Sequence, residues 1–341
     1  MATYKRQRYL FMTLDPVHIG AGGYRLGRVD NSIVREPGTK IPKIPGTSLH
    51  GAARSYTAQL YETPEAAGQS HDKIDKPDEN PVCYTFGYIK KSNNSNNNNE
   101  DKIYSGVVNI FDAHILLFPV YSMAGPVWVS TVERLEDAGF EVENLPDDWN
   151  NINTVVLNWQ QTDALNLGWL MLQVSGKQLI VEAPSDWKND KRWDEINKKI
   201  VLVKDALFSQ VVNSNLEVRT SVAINPETGA AEEGALFTYE AIPRATLLTA
   251  DVVLDDYRSS EKGWGLGKIK ETGKEKEDKT KNQLPGDPWA SPLDVVKAGF
   301  KLIEWLGVGG MGTRGFGRMA IVGNPVNLML ATLLGKEKEN E

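Results

Sequence analysis

The apolar, β-prone segment from Tyr9 to Ile19 predicts a strand that ends near Pro16 or Gly20. The glycines of GAGGYRLG then mark a loop. From Thr47 the apolar positions Leu49, Ala52, Ala53, Tyr56 and Leu60 fall at helical spacing, which predicts a helix with one buried stripe, capped by Thr47 or Ser48. It should end near Glu62, because Pro64 disfavours helical backbone at the residue before it. A polar insertion over residues 63–105 follows, and its Asn-rich run has no apolar periodicity to repay ordering.

The pattern returns with VVNIFDAHILLFPV, Val107 to Val120, read as a strand, and with a further strand over Val127 to Ser130. LMLQV and QLIVEA around a Ser-Gly turn predict a hairpin between Trp169 and Ala183, and Ile196, Ile200, Val203 and Leu207 predict a helix. Residues 216–243 alternate on both sides of a Pro-Glu-Thr-Gly turn, which predicts a long β-hairpin with Val218, Thr220, Val222 and Ile224 on one face. The strand ATLLTADVVL follows, and then a charged insertion over residues 256–290, read as flexible or ordered on binding. Residues 291–325 supply a last helix through Leu293, Val296, Phe300 and Ile303, a glycine-rich loop and the strand RMAIV. Without the insertions the order is βαββαβ, so the expected class is α+β, a ferredoxin-like domain, with residues 1–341 as a single unit.

Charge narrows the possible functions. With 38 basic and 45 acidic residues the net charge is −7, so the chain does not coat nucleic acid over its whole surface, and any such role needs a local patch. The lone Cys83 forms no internal disulfide, Asp15 cuts short the basic-then-apolar start, and no apolar run is long enough to cross a bilayer, which leads to an expected cytoplasmic location.

Two motifs carry candidate chemistry. GVGGMG, Gly307 to Gly312, matches the dinucleotide pattern letter for letter, but the helix precedes the glycines where a nicotinamide-dependent oxidoreductase needs it after them. It also lacks the Lys of a P-loop. Either it is a close-packed turn, or its glycines let backbone approach a phosphate while Arg314 and Arg318 supply charge. IPGTSLHGAAR opens the first helix, whose free N–H groups favour an anion, with Arg54 one turn beyond His50 to share it; a bland cap with a solvent-facing Arg is the alternative. Neither motif decides the matter by itself.

Together they resemble a known family. IPGTSLHGAAR is similar to the IPGSSLKGxLR signature of RAMP proteins, the repeat-associated RNA-binding proteins of CRISPR systems, and GVGGMGTRGFGR resembles their C-terminal glycine-rich loop. HIGAGGYRLGRVDNSIVRE, DAHILLFPVYSMAGPVWVST and RTSVAINPETGAAEEGALFTYEAIP narrow the resemblance to the backbone subunit of type III-B effector complexes. That resemblance implies a ferredoxin-like palm of the RNA-recognition-motif kind with an inserted β-hairpin thumb. It implies packing in a filament along a crRNA guide, beside other copies of itself and other effector subunits. Target single-stranded RNA would be an endonuclease substrate, cut at regular intervals where the thumb splays a nucleotide, in antiviral defence.

The family's catalytic carboxylate carries over to Asp30, which could orient a ribose 2′-OH or hold a divalent cation, Mg²⁺ being the expected one. Taken by itself, a carboxylate between Arg28 and Arg35 reads as a loop ion pair. RNA contacts are expected from Arg28, Arg35, Ser48, His50, Arg54, Arg219, Gly309, Gly310, Thr313, Arg314, Phe316 and Arg318, and the wedge from Ile224 and Phe237. His50, a weaker phosphate ligand than an ammonium, stands where the family usually has Lys. His18 and His114 are expected to pack within strands, His71 to carry no signal, and Asp15, Asp112 and Cys83 to be structural. The competing readings are a non-catalytic RAMP scaffold, for example of type III-D, and a stand-alone crRNA-processing ribonuclease, for which no His or Lys acid–base cluster is evident.

Overall fold

A computed structural model describes residues 3–22, 29–68, 71–74, 76–90, 102–146, 149, 151–161, 163–258, 264, 283–284 and 287–328. Arg28, the Asn-rich run 91–100 and most of the charged insertion lie outside the described residues.

The first strand, Thr3–Thr13, begins six residues before the expected Tyr9 and ends at Thr13. The charged start belongs to it because Arg6 and Arg8 both reach Asp251, on the antiparallel strand Leu247–Asp256, at 2.5 and 2.9 Å. Four neighbouring strands form one end of a large mixed sheet, in the order Met319–Ile321, Thr3–Thr13, Leu247–Asp256, Ala113–Ser122, each antiparallel to the next. The sheet continues through Gly125–Ser130, Ile200–Leu202, Thr154–Leu157, Leu170–Gln178 and Ala164–Leu167.

Two helices, Gly46–Leu60 and Pro292–Leu306, cover one face. They cross so closely that a Cβ on Gly299 would lie 2.6 Å from the Ala53 Cα, so a side chain there would push them apart. Alternation along the first strand sends Tyr9 and Phe11 to this side, both edge-on to Phe300 at 5.1 and 5.2 Å, and sends Leu10 into a second core with Phe140, Trp187 and Trp193. The sheet is therefore buried on both faces there, while a groove of about 1020 Å³ over the Arg6, Arg8 and Asp251 end stays open.

Four expectations change. The opening helix starts at Gly46 with Pro45 as N-cap and no side-chain cap; the Asp112 carboxylate, from a neighbouring strand connection, accepts the Gly46 N–H at 2.7 Å. That same connection, Phe111–Asp112, splits the expected Val107 to Val120 strand into Val108–Ile110 and Ala113–Ser122. No hairpin turns at Ser175–Gly176: Leu170–Gln178 is one strand, and the turn falls instead at Gly168–Trp169, where Gly168 has φ of 64°. Ile196 to Leu207 is not one helix either. The run Ile200–Leu202 is a strand inserted between two others, with Lys191–Ile196 and Asp205–Ser214 as helices on each side, because its consecutive apolar residues are buried on both faces.

Burial alone would raise the Asp251 carboxyl, but Arg8 and Arg6 hold it below the usual carboxylate range. A depressed carboxylate contributes stability that is fully present above its unfolded pKa, about 4, and is lost as pH falls through the lower folded value. Asp251→Asn should cost about 2–3 kcal/mol near neutrality, since two arginines lose a charged acceptor. It should also flatten the acid limb of Tm against pH below about pH 4. Parallel acid limbs in the two proteins would show that other carboxylates set it.

Candidate nucleic-acid interface

The hairpin Glu217–Ile224 and Ala231–Ala241 is present as expected, and it meets the Asp30 segment and the glycine loop at its base. The segment carrying Asp30 runs along its outer edge: Asn31 N–H donates to Thr238 O and Glu240 N–H to Asn31 O, both at 3.0 Å. Asp30 Oδ2 accepts from Thr238 N at 2.7 Å and from Thr238 Oγ1 at 2.9 Å, and these bonds hold the exposed carboxyl below its ordinary pKa. Asp30 is not an ion pair with Arg35. Arg35 turns inward to Glu240 at 2.8 Å and Asn213 at 2.9 Å, so its expected RNA contact is replaced by a brace on the hairpin base.

Pairing register decides what shares a face with Asp30. Thr220 opposes Thr238, and Val222 opposes Leu236 two pairs nearer the tip, so these four lie on one face with Val222 41% and Leu236 65% exposed. Ile224, at the tip, is also exposed, as a wedge would be. Phe237 is not. It points to the opposite face, half-buried among Tyr239, Phe316 and Met311, with the Arg314 guanidinium 5.2 Å from its ring. Phe316 is buried edge-on to Tyr239 and covered by Arg219, which Glu217 also binds at 2.6 Å. Phe316 therefore works as an anchor between loop and hairpin rather than as an open stacking surface.

The glycine loop is laced to the exit of the first strand. Gly310 N–H donates to His18 O and Gly317 N–H to Pro16 O, both at 2.9 Å. Gly309 has φ of 87°, and a Cβ there would lie 2.5 Å from His18 O, so glycine is required by close approach of two backbones. The Gly310 N–H is thus already paired, and the expected phosphate contact does not fall on it. Thr313 and Arg314 are exposed at the loop's outer turn, and among the described residues Arg314 has no acidic partner. Arg318 is exposed but pairs with Asp15 at 2.5 Å.

The opening helix faces this loop across a cleft of about 320 Å³ lined by Ser48, Ser55, Tyr56, Gly309, Gly312 and Phe316, where Tyr56 Oη donates to Gly307 O at 2.6 Å. Ser48 is the one predicted helix residue on this cleft. His50 is half-buried edge-on to Phe86, and burial, then Arg54, push its pKa down, leaving a neutral ring. Arg54 is also turned inward. Its guanidinium donates to the carbonyls of Ala66 at 2.7 Å, Gly87 at 2.8 Å and Phe86 at 3.3 Å, and contacts the buried His71. The helix start itself holds the protein's own Asp112, which Lys43 bridges to Glu36 at 2.6 Å on each side. His114, expected to be packed, is exposed on its strand, and His18 is buried in a loop with Nδ1 2.6 Å from Glu240 O. Sequence reading missed Thr238, Tyr239 and Glu240, for which the only signal was their place on the return arm.

This geometry defines an α+β domain whose hairpin base gathers a carboxylate loop and a glycine loop. The RAMP superfamily model matches residues 10–320, and the chain belongs to that superfamily. It is similar to the CRISPR system Cmr endoribonuclease Cmr4 of Pyrococcus furiosus, with 28% identity over 251 residues, 69% of this chain and 77% of that one. Its fold is similar to that of a subunit in the type III-B Cmr-beta complex bound to cognate target RNA (TM-score 0.56, 14% identity, 93% and 96% of the two chains). Oligomeric Cmr4 from Pyrococcus furiosus shares it as well (TM-score 0.54, 18% identity, 95% and 99%). No helix among the described residues is long and apolar enough to cross a membrane.

Arg54 and Arg314 should separate. Arg54→Ala leaves three carbonyls without their charged donor and should lower stability by about 3 kcal/mol, read as a drop in thermal midpoint. Arg314→Ala should leave the midpoint near wild type, weaken RNA binding and reduce the slope of log K against log salt by about 0.7. Equal midpoints for the two variants would refute the inward assignment of Arg54.

Proposed function

We propose that this chain is the guide-binding filament subunit of a type III-B CRISPR ribonucleoprotein and that Asp30 lies at the centre where target RNA is cut. Membership of the RAMP superfamily and the names of the relatives support the class. In this reading the four antiparallel strands that include Thr3–Thr13 and the two covering helices are the ferredoxin-like palm and the 217–241 hairpin is the thumb. Guide crRNA, target single-stranded RNA, further copies of the chain and other effector subunits are its partners.

One observation carries the catalytic part: Asp30 is fastened to the hairpin's return arm on the face that also bears Val222 and Leu236. Each residue advances about 3.4 Å along a strand, so Thr238, which holds the carboxylate, lies about 7 Å along the strand from the exposed apolar pair. An apolar pair that unstacks a base leaves the flanking backbone distorted, and in-line attack by a 2′-OH needs such a backbone. The carboxylate stays charged at working pH because Thr238 stabilises its ionised form. A low-pKa carboxylate is a weak proton acceptor, so its work is to orient the hydroxyl and shape the local charge.

Mg²⁺ fits this position in one respect. It is held in nucleotide sites by one or two carboxylates with phosphate oxygens and water completing its shell, and Asp30 is an exposed single carboxylate. Asp30 would hold the ion, which when bound supplies charge neutralisation at the scissile phosphate. The acidic group formed by Glu36, Asp112 and His114 does not fit a cation, since the Lys43 ammonium lies 2.6 Å from both carboxylates.

Asp30→Ala complexes should load guide and bind target as wild type does, yet cleave at least ~100-fold more slowly at every site assigned to this subunit. End-labelled target RNA with and without Mg²⁺ reads both effects on one gel, and chelation should reproduce the variant. A wild-type ladder from Asp30→Ala would remove Asp30 from the cleavage centre, and no ladder from the wild-type complex would leave a non-catalytic RAMP scaffold as the function.

A further inference from the structure

We infer that Thr238 is a positioning residue for Asp30, fixing the carboxylate to the thumb so that the two move as one body; this rests on the cleavage reading above. The contact is reciprocal. Thr238 N–H and Oγ1 both donate to Asp30 Oδ2, while Asp30 N–H donates back to Thr238 Oγ1 at 3.1 Å. A single hydroxyl therefore sets both the backbone and the carboxylate of residue 30.

The rest of the hairpin base makes that clamp rigid. On the same face Glu240 is held by Arg35, which also binds Asn213; on the other face Tyr239 packs on Phe316, and Arg219 lies between Phe316 and Glu217. Asn31 is stitched to Thr238 and Glu240 by main-chain bonds. Threonine is suited to the position because its branched Cβ restricts χ1, so the hydroxyl is already aimed when the strand forms. A threonine present only for strand propensity would not need its oxygen.

Replacing the hydroxyl while keeping shape tests this. Thr238→Val retains the strand preference and the main-chain bond to Oδ2 but loses both hydroxyl bonds; Thr238→Ala is a second deletion, and Thr238→Ser restores the oxygen. Assembled complexes with one guide are compared by thermal midpoint, target affinity and single-turnover cleavage at saturating target. Val and Ala are expected to bind target normally and to cleave ~10–100-fold more slowly, since small misplacement of a reacting group has effects of that size. Ser should return to within about twofold of wild type. Wild-type rates in Val and Ala beside a silent Asp30→Ala would overturn the clamp and spare the catalytic reading. An active Asp30→Ala would overturn the catalytic reading itself, and equal losses in Val, Ala and Ser would reduce Thr238 to packing.

Discussion

Three residues, Pro16 to His18, hold the functional end of the molecule together. Leaving the first strand, they accept N–H groups of the glycine loop at Pro16 O and His18 O, and they pair with the hairpin's end through Val17 and Ile242 in both directions at 2.8 and 2.9 Å. Backbone can be approached from two sides only where side chains are missing, which is why Gly309 and Gly317 take positive φ with a Cβ position 2.5 Å from a carbonyl oxygen. The resemblance of GVGGMG to a dinucleotide loop follows from the same cause. Both need bare backbone, but here the Pro16–His18 segment packs against the glycines.

The charge distribution follows from this tight assembly. An acidic chain that binds RNA was expected to gather its arginines on one groove. Instead Arg35, Arg54, Arg219 and Arg318 are each engaged within the protein, to Glu240, to carbonyls, to Glu217 and to Asp15. Their work is to fix loops and the hairpin root in place. Arg314 stands apart, spread over Phe237 with its edge to solvent. Arg is better suited than Lys to a place where it must stack on a ring and still offer donors.

Local pattern and tertiary constraint divide what could be read from the chain. The 217–241 hairpin and the Gly46–Leu60 and Pro292–Leu306 helices were legible because alternation and helical spacing persist over eight or more residues. Ile200 was misread because an apolar run buried on both faces has no period to distinguish strand from helix. The Asp112 cap was invisible, since a carboxylate 66 residues away replaced the local side-chain cap that the sequence suggested. Asp30, Ser48 and Arg314 were marked in the sequence and lie exposed or on the cleft, but the inward turn of Arg54 depends on carbonyls from a separate segment, at Phe86 and Gly87.

A strand register explains why the carboxylate belongs on a hairpin at all. Side chains on a strand alternate, so a slip of one residue between the Asn31 segment and the return arm would place the carboxylate against residues of the opposite face, away from Val222 and Leu236. Intermediate positions do not exist for a paired backbone. The location of Asp30 is thereby quantised relative to the hairpin, and main-chain bonds at Asn31 with the Arg35–Glu240 pair behind them exclude the slipped alternative. A carboxylate on an unpaired loop would instead sample a continuous range of positions, each reached only part of the time. Backbone pairing fixes which face of the hairpin the carboxylate occupies, and the Thr238 hydroxyl fixes its aim on that face.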